Sequence, residues 1–224
     1  MGGLHQRMGL CNQDAHALRL WKDRALCVVA DGVGSAVLSH EGARAICRLA
    51  VQFFSTLPEQ AEVDASLFVR LQQLWADSFP NGKIKDYATT CRLIYATADA
   101  VHIANLGDGG TIVITEEDIF CHACDKDNDF SNSTDALSGS TGKWTISSYP
   151  ADQVRAVFAM TDGIYDDIEE DVKQAFAQDL YMSFQSLSSR MAHREMQKAL
   201  RAWSGSGDDK TIVALFKKEE HWDD

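Results

Sequence analysis

The stretch Leu26-Cys27-Val28-Val29-Ala30-Asp31-Gly32-Val33-Gly34 joins an apolar run to an aspartate that is followed by glycines. Residues 26–30 have the length and the composition of a buried β-strand. A strand end holds an aspartate on a rigid backbone, and a neighbouring glycine lets other atoms approach that backbone closely. The stretch therefore predicts a buried strand that presents Asp31 at its end.

The same pairing of aspartate and glycine recurs beside other apolar runs. It occurs in Leu106-Gly107-Asp108-Gly109-Gly110, in Thr161-Asp162-Gly163 and in Gly207-Asp208-Asp209, and Asp14 precedes the first run. Each pair alone is a common turn signal, and residues 107–110 alone predict a hairpin turn. As a set, carboxylates that converge from several strand ends would repel one another unless cations lie between them. Oxygen ligands of this kind suit Mg²⁺ or Mn²⁺.

Composition agrees with cation binding and excludes other classes of function. The 224-residue chain carries a net charge of −12, and 23 of its 33 acidic residues are aspartate, which favours turns, caps and metal sites over helix surfaces. An acidic chain lacks the basic footprint that nucleic acids and anionic membranes require, so neither is expected as a partner. We expect no membrane span, no signal peptide and, from the scattered cysteines, reduced thiols in a cytoplasm.

The hydrophobic pattern predicts a single α+β domain over residues 1–224. Strands are predicted over 26–30, 92–97, 100–106, 111–115, 155–160 and 210–216. The second, third and fourth of these are predicted to form an antiparallel meander. Helices are predicted over 43–54, 63–78, 168–180 and 184–203. Polar residues dominate 122–148, which predicts a long mobile loop, and 217–224 are expected to be a charged tail.

Six short motifs follow one another along the chain. They are Asn12-Gln13-Asp14-Ala15, Val28 to Gly34, Ala88-Thr89-Thr90, Ala104 to Gly109, Met160 to Asp166 and Asp208 to Val213. In this order they resemble the metal-dependent protein phosphatases of the 2C type, and the resemblance extends from about residue 5 to residue 216. It implies a β-sandwich of two antiparallel sheets flanked by helices, in four layers α/β/β/α. It also implies an enzyme that hydrolyses phosphoserine and phosphothreonine in proteins.

The resemblance further implies a site of two or three Mg²⁺ or Mn²⁺ ions. Asp31 would bridge two metals, Gly32 would offer its carbonyl, and the side chains that complete the pair would be Asp14, Asp162 and Asp208. Asp108 and Asp166 match positions that serve a third, weaker metal or its water shell. Asp31 and Asp162 would be catalytic through the ions, because a two-metal site activates a water for in-line attack without a covalent nucleophile.

Several positions depart from the family pattern. Gln13 stands where many members have Glu, Val33 stands where eukaryotic members have the proton-donating His, and Gly9 stands at the place of the phosphate-binding Arg. His5 or Arg7 could substitute for that Arg. The resemblance to a compact bacterial branch offers His5 as a phosphate contact or proton donor, and an exposed His near a flexible terminus is the other interpretation.

Two hypotheses for the function follow. The favoured one is a bacterial-type, monomeric serine/threonine phosphatase of the cytoplasm that acts in signalling on a phosphorylated protein and opposes a particular kinase. The alternative is a pseudophosphatase that acts as a regulatory binding module, which the losses at positions 13 and 33 and of the usual Arg would favour. Retention of the metal-ligand aspartates speaks against it, since repelling carboxylates have no physical reason to persist without cations.

Overall fold

The computed structural model describes residues 2–3, 7, 9, 11–58, 61–123, 136–139 and 143–218. Nine strands occur in this described part: β1 Asp14–Leu20, β2 Ala25–Asp31, β3 Cys91–Ala96, β4 Ala100–Leu106, β5 Gly110–Thr115, β6 Ile119–Ala123, β7 Thr145–Pro150, β8 Val154–Met160 and β9 Ile212–Phe216. The α-helices of the same part are α1 Ser39–Ser55, α2 Ala65–Asp77, α3 Asp162–Tyr165, α4 Lys173–Phe184 and α5 Ser189–Ala202. Short 3₁₀ helices cover Ile84–Tyr87 and Glu170–Val172.

The strands form two antiparallel sheets that pack face to face. The first sheet has the order β1-β2-β3-β4-β7, and the second has the order β6-β5-β8-β9. Val29 and Ile103 of the first sheet meet Val113 and Val157 of the second in a fully buried layer. Alternating strand residues fill this space because successive side chains point to opposite faces of a sheet.

Helices cover the outer face of each sheet. The buried side of α1 recurs at the predicted spacing of three and four residues, and it packs with α2 against the first sheet. The indole of Trp75 on α2 donates to the Gly42 carbonyl of α1 at 3.0 Å, which locks the two helices together. Ala177 of α4 packs against Phe158 of the second sheet. The predicted four-layer α/β/β/α sandwich is therefore confirmed.

The predicted hairpin over residues 107–110 is wrong. β4 pairs with β3 and β7 in the first sheet, whereas β5 pairs with β6 and β8 in the second, so this segment crosses between the sheets. Asn105 and Thr111 on its two sides are joined by a side-chain hydrogen bond of 2.8 Å. The strands on both sides of this segment are apolar on both faces, so their sequences do not indicate which sheet each one joins. A turn signal is local and does not indicate it either.

The polar loop predicted over residues 122–148 is shorter in the structure at both ends. β6 continues to Ala123 and β7 begins at Thr145, while Leu137 exchanges backbone hydrogen bonds with Thr89. Residues 124–135 and 140–142, and residues 219–224 of the predicted tail, lie outside the described residues. β1 was also not predicted as a strand. Leu18 and Leu20 of this edge strand are 51% and 59% exposed. Apolar and polar residues therefore do not alternate clearly between a buried and an exposed face of β1.

Two further expectations concern cysteines and membranes. The five cysteines of the described part, which are Cys11, Cys27, Cys47, Cys91 and Cys121, are free thiols. None of the described helices combines the length and the apolar character that crossing a bilayer requires.

Candidate metal centre

The register of β1 and β2 brings the first two aspartates together. Asp14 opens β1, Asp31 closes β2, and the two residues are direct partners across the antiparallel pair. Side chains directly opposite each other on neighbouring strands have Cβ atoms about 5 Å apart. The two carboxyl groups lie close enough for each to shift the pKa of the other.

The second sheet delivers two more aspartates to the same place. β8 ends at Met160 just before Asp162, and β9 begins at Ile212 soon after Asp208. The negative charges of Asp162 and Asp208 both raise the pKa of Asp31, so their carboxyl groups lie near that of Asp31. Four predicted metal ligands, from strand ends of both sheets, therefore form one cluster, which we call the carboxylate cluster: Asp14, Asp31, Asp162 and Asp208.

The pKa values of Asp14, Asp31 and Asp162 are raised because these largely buried carboxyl groups lie close to like charges. Burial, followed by the negative charges of Asp14 and Asp162, raises the pKa of Asp31 to about 10. Burial also raises the pKa of Asp14 to about 6, and burial with the Asp208 charge raises the pKa of Asp162. Without cations, the folded protein therefore keeps protons that ordinary aspartates would lose at neutral pH.

The atoms of the cluster fit a hard divalent cation. Asp14 is 6% exposed; its Oδ2 accepts a hydrogen bond from Thr161 Oγ1 at 2.9 Å, while its Oδ1 is buried and accepts none from any described residue. A buried carboxylate oxygen without a donor is costly, and a bound cation satisfies it. Yet no three His, Cys, Asp or Glu side chains of the described ranges already surround a common point as ligands would. The carboxyl groups would have to turn toward the ion.

Backbone contacts hold Asp31 and Gly32 in place. The carbonyl of Asp31 accepts hydrogen bonds from the Thr90 amide at 2.7 Å and from Thr89 Oγ1 at 2.8 Å. A Cβ on Gly32 would lie 2.7 Å from Ser39 at the start of α1, so only glycine fits there. Packing therefore requires the glycine after Asp31, and the role of the Gly32 carbonyl as a ligand stays a prediction.

The two candidates for a third metal lie at the margin of the cluster. Asp166 follows α3 with an exposed side chain, and its charge contributes to the raised pKa of Asp162. Asp108 lies on the segment that crosses between the sheets, where a Cβ on Gly109 would come within 3.1 Å of the Asp162 amide. Both residues are thus near the start of α3, and their roles as ligands stay predictions.

The candidates for phosphate binding and proton donation are not resolved by these contacts. His5 lies outside the described residues. Val33 is half-buried, its amide donates to the Ala88 carbonyl at 2.9 Å, and its side chain has no proton to give. Residue 33 is therefore not the general acid.

Three residues have structural roles at the centre that were not predicted from the sequence. Thr161 bonds Asp14 across the two sheets. Asp209 is 1% exposed and accepts hydrogen bonds from the amides of Gln13 at 2.8 Å and Gly2 at 2.5 Å, so it ties the segment before Asp14 to the segment of Asp208. The signal for Asp209 was the Asp-Asp doublet, since a carboxylate beside a metal ligand often serves the backbone around it.

The third such residue is Arg92, an arginine in the middle of an apolar strand. It is 1% exposed, and its Nη2 donates to the Gly107 carbonyl at 2.6 Å. A Cβ on Gly109 would lie 2.7 Å from its Nε, so the guanidinium supports the crossing segment that carries Asp108. A charged residue within an otherwise apolar strand was the available signal, because charges are almost never buried without a specific use.

Comparisons with known proteins identify the family and the fold of the chain. The sequence profile of the family described as protein phosphatase 2C matches residues 1–203. A crystal structure of a bacterial serine phosphatase has 14% identity and a TM-score of 0.71, with 94% of each chain covered. The serine/threonine phosphatase Stp1 from Staphylococcus aureus has 14% identity and a TM-score of 0.67, covering 93% of this chain and 90% of that one.

A third similar structure holds metal. It is the catalytic domain of the serine/threonine phosphatase PstP in complex with two manganese ions, with 16% identity and a TM-score of 0.58 over 91% of this chain and 90% of that one. At these identities the likeness shows the fold. None of the curated proteins compared by sequence matches this chain.

Proposed function

Because the chain belongs to the protein phosphatase 2C family, whose members are phosphoprotein phosphatases, we propose that it is a metal-dependent serine/threonine phosphatase. The substrate would be a phosphoserine or phosphothreonine of a protein, hydrolysed by an activated water. The observation that carries the proposal is the carboxylate cluster, in which a buried oxygen of Asp14 has no hydrogen-bond donor among the described residues. The similar structure of the PstP catalytic domain holds two manganese ions, which supports Mn²⁺ or Mg²⁺ as the cofactor. We propose two or three ion sites.

The residues have distinct tasks in this proposal. Asp31, at the centre of the cluster, would be shared between ions, and Asp14, Asp162 and Asp208 would hold them from the sides. Thr161 orients the Asp14 carboxylate, and Thr89 and Thr90 fix the backbone of Asp31. When bound, divalent ions supply Lewis acidity that makes a water a nucleophile and neutralises charge on the phosphoryl oxygens. Gly32 and Gly163 leave room for close backbone packing around these groups.

Proton transfer to the leaving alkoxide would come from a group other than residue 33. His5 is our candidate, either as this donor or as a phosphate contact, and an exposed, uninvolved His5 remains the other interpretation. A His5→Gln variant separates these roles. A lower kcat on a phosphothreonine peptide, with activity retained on an aryl phosphate whose leaving group needs no proton, supports donation. A higher KM with unchanged kcat supports phosphate contact, and unchanged kinetics remove His5 from the site.

The test of the function is hydrolysis of a phosphothreonine peptide with Mn²⁺, with Mg²⁺ and with EDTA. We expect turnover only with a divalent ion, and a loss of more than about a hundredfold in Asp31→Asn and Asp162→Asn. Asp179→Asn makes the same chemical change at an exposed site on α4 and should leave turnover unchanged. Turnover that survives both active-centre substitutions would show that the site is wrong.

The second candidate function is a pseudophosphatase that binds and regulates a partner. Val33 favours it, since an apolar side chain occupies the place of the usual proton donor. Metal-dependent thermal stabilisation without any turnover would select this alternative, because binding to the folded state raises its stability whether or not chemistry follows. The partner would then be a phosphorylated protein or its kinase, and we propose a cytoplasmic monomer in either case.

A further inference from the structure

Asp167 lies one residue beyond the predicted metal-site motif and gathers contacts from a distant segment. Its Oδ2 accepts a hydrogen bond from the indole Nε1 of Trp203 at 2.9 Å. Its two carboxylate oxygens accept from the Ser206 amide at 2.9 and 3.1 Å, and Lys210 Nζ lies 3.5 Å from Oδ2. The side chains of Asp167 and Lys210 are only 13% and 10% exposed, so this is a shielded ion pair with two additional donors.

The segment from Trp203 to Lys210 is folded around this carboxylate. A Cβ on Gly205 would lie 1.6 Å from Asp167 Oδ2, so the chain can close on the carboxylate only because residue 205 is glycine. Gly207 has φ of +82°, the left-handed conformation that favours glycine. The Gly-Ser-Gly sequence over 205–207 therefore serves a turn that is centred on Asp167 and not a flexible linker.

This turn carries Asp208 of the carboxylate cluster. The donors to Asp167 come from residues on both sides of Asp208, namely Ser206 and Lys210. The Asp208 amide lies 3.4 Å from Ser206 Oγ, and Lys210 Nζ lies 3.4 Å from the Asp208 carbonyl. The backbone of Asp208 is thus held by the same two residues, Ser206 and Lys210, that bind Asp167.

Asp167 is also tied to the other side of the cluster. Its amide donates to the Ile164 carbonyl of α3 at 3.1 Å, and α3 begins with Asp162. Asp162 and Asp208 carry like charges that repel each other, and residues 204–206 are exposed, so burial of residues 204–206 contributes little to holding the two carboxylates together. The carboxylate of Asp167 connects α3 to residues 203–210, in addition to the hydrogen bonds that Thr161 and Asp209 make beside them.

We propose that Asp167 is a positioning residue that holds Asp208 beside Asp162 for binding of a divalent cation. Asp167 does not itself contact the ion or the substrate. The inference rests on the proposed function, in which Asp162 and Asp208 are metal ligands. Residues that orient metal ligands typically change metal affinity by about 10- to 100-fold when they are replaced.

The experiment titrates metal-free protein with Mn²⁺ in a calorimeter and compares wild type with Asp167→Asn. Asparagine keeps the shape and one acceptor but removes the charge that pairs with Lys210. We expect the Kd for Mn²⁺ to rise at least about tenfold. We further expect kcat at saturating Mn²⁺ and KM for a phosphothreonine peptide to stay near wild type. Asp179→Asn makes the same chemical change at an exposed position on α4; it is the matched control and should bind Mn²⁺ as wild type does.

A second variant keeps the test decisive if Asp167→Asn does not fold. Trp203→Phe removes only the indole donor and can preserve the edge-to-face packing on Phe176, whose ring centroid is 5.7 Å away. It should weaken Mn²⁺ binding about two- to fivefold without a matching loss of kcat at saturating metal. Wild-type Mn²⁺ affinity in a folded Asp167→Asn, or in Trp203→Phe if the first variant is unfolded, overturns the inference.

Failure of the inference can be distinguished from failure of the proposed function. If wild type binds Mn²⁺ and Asp208→Asn loses that binding, the ligand assignment is upheld, and only the behaviour of Asp167→Asn decides the positioning role. If wild type binds no Mn²⁺, or Asp208→Asn binds it normally, the proposed centre is wrong and the positioning role falls with it.

Discussion

Replacing Asp31 by Asn should stabilise the metal-free protein while destroying its capacity to hold metal. Burial and the charges of Asp14 and Asp162 raise the pKa of Asp31 from 3.8 to about 10, so the folded, metal-free protein keeps this carboxyl protonated at pH 7. At about 1.36 kcal/mol per pKa unit, taking up that proton at pH 7 costs about 4 kcal/mol of folding free energy. Asparagine is neutral in both the folded and the unfolded state and avoids this cost.

The stabilisation expected for Asp31→Asn depends on pH, and its sign follows from the raised pKa of Asp31. The folded pKa of Asp31 lies above the unfolded value, so the contribution of this group is fully present below about pH 4 and is lost as the pH rises toward 10. The difference in unfolding free energy between Asp31→Asn and wild type should therefore be near zero at pH 4 and grow toward about 4 kcal/mol at pH 7. For a chain of this size that corresponds to about 10 °C in Tm.

The assay is thermal unfolding in EDTA at several pH values, repeated with excess Mn²⁺. Wild type should gain stability from Mn²⁺, about 3 kcal/mol at a hundredfold excess over Kd, and Asp31→Asn should gain little. Asp179→Asn, the exposed control, should follow wild type throughout. The reasoning is refuted if Asp31→Asn in EDTA is no more stable than wild type at pH 7, or if their difference does not change with pH.

Three further predictions test the surroundings of the cluster. Thr161→Val removes the donor to Asp14 Oδ2 and should raise the Kd for Mn²⁺ about tenfold in calorimetry; an unchanged Kd would contradict the role of that bond. Gly163→Ala places a Cβ 2.0 Å from the Asp209 carbonyl, so it should displace the Asp208 segment and lower both Tm and Mn²⁺ affinity; a wild-type Tm would contradict this. Arg92→Ala removes a buried side chain and should lower the free energy of urea unfolding by about 3 kcal/mol, and a loss under about 1 kcal/mol would show that the crossing segment does not depend on it.

The elements that were predictable from sequence are those with a strong internal period. The amphipathic face of α1 and the apolar runs of β2, β3 and β8 are buried as predicted, because local spacing and tertiary burial agree in them. β1 and β6 carry exposed or half-buried apolar residues at sheet edges, so their alternation is weak. Membership of a sheet is a long-range property, and the assignment of β5 to the second sheet could not be inferred from the turn that precedes it.

Only part of the candidate site was predictable from the sequence. Asp14, Asp31, Asp162 and Asp208 were recognisable because each adjoins a strand end in a short motif, and the structure brings them together. The groups that support them were not recognisable, because their partners are remote in the chain. Asp209 meets Gly2, and Asp167 meets Trp203, only after the two sheets have assembled. Contacts of this kind leave no periodic trace in the sequence.

The central claim is that the carboxylate cluster is a divalent-metal centre. The most direct measurement is anomalous diffraction at the manganese edge from crystals grown with Mn²⁺. We predict at least two manganese peaks in contact with the carboxylates of the cluster, with Asp31 shared between them. An absence of manganese at the cluster in crystals of protein that hydrolyses phosphothreonine, or peaks only at other carboxylates, would contradict it.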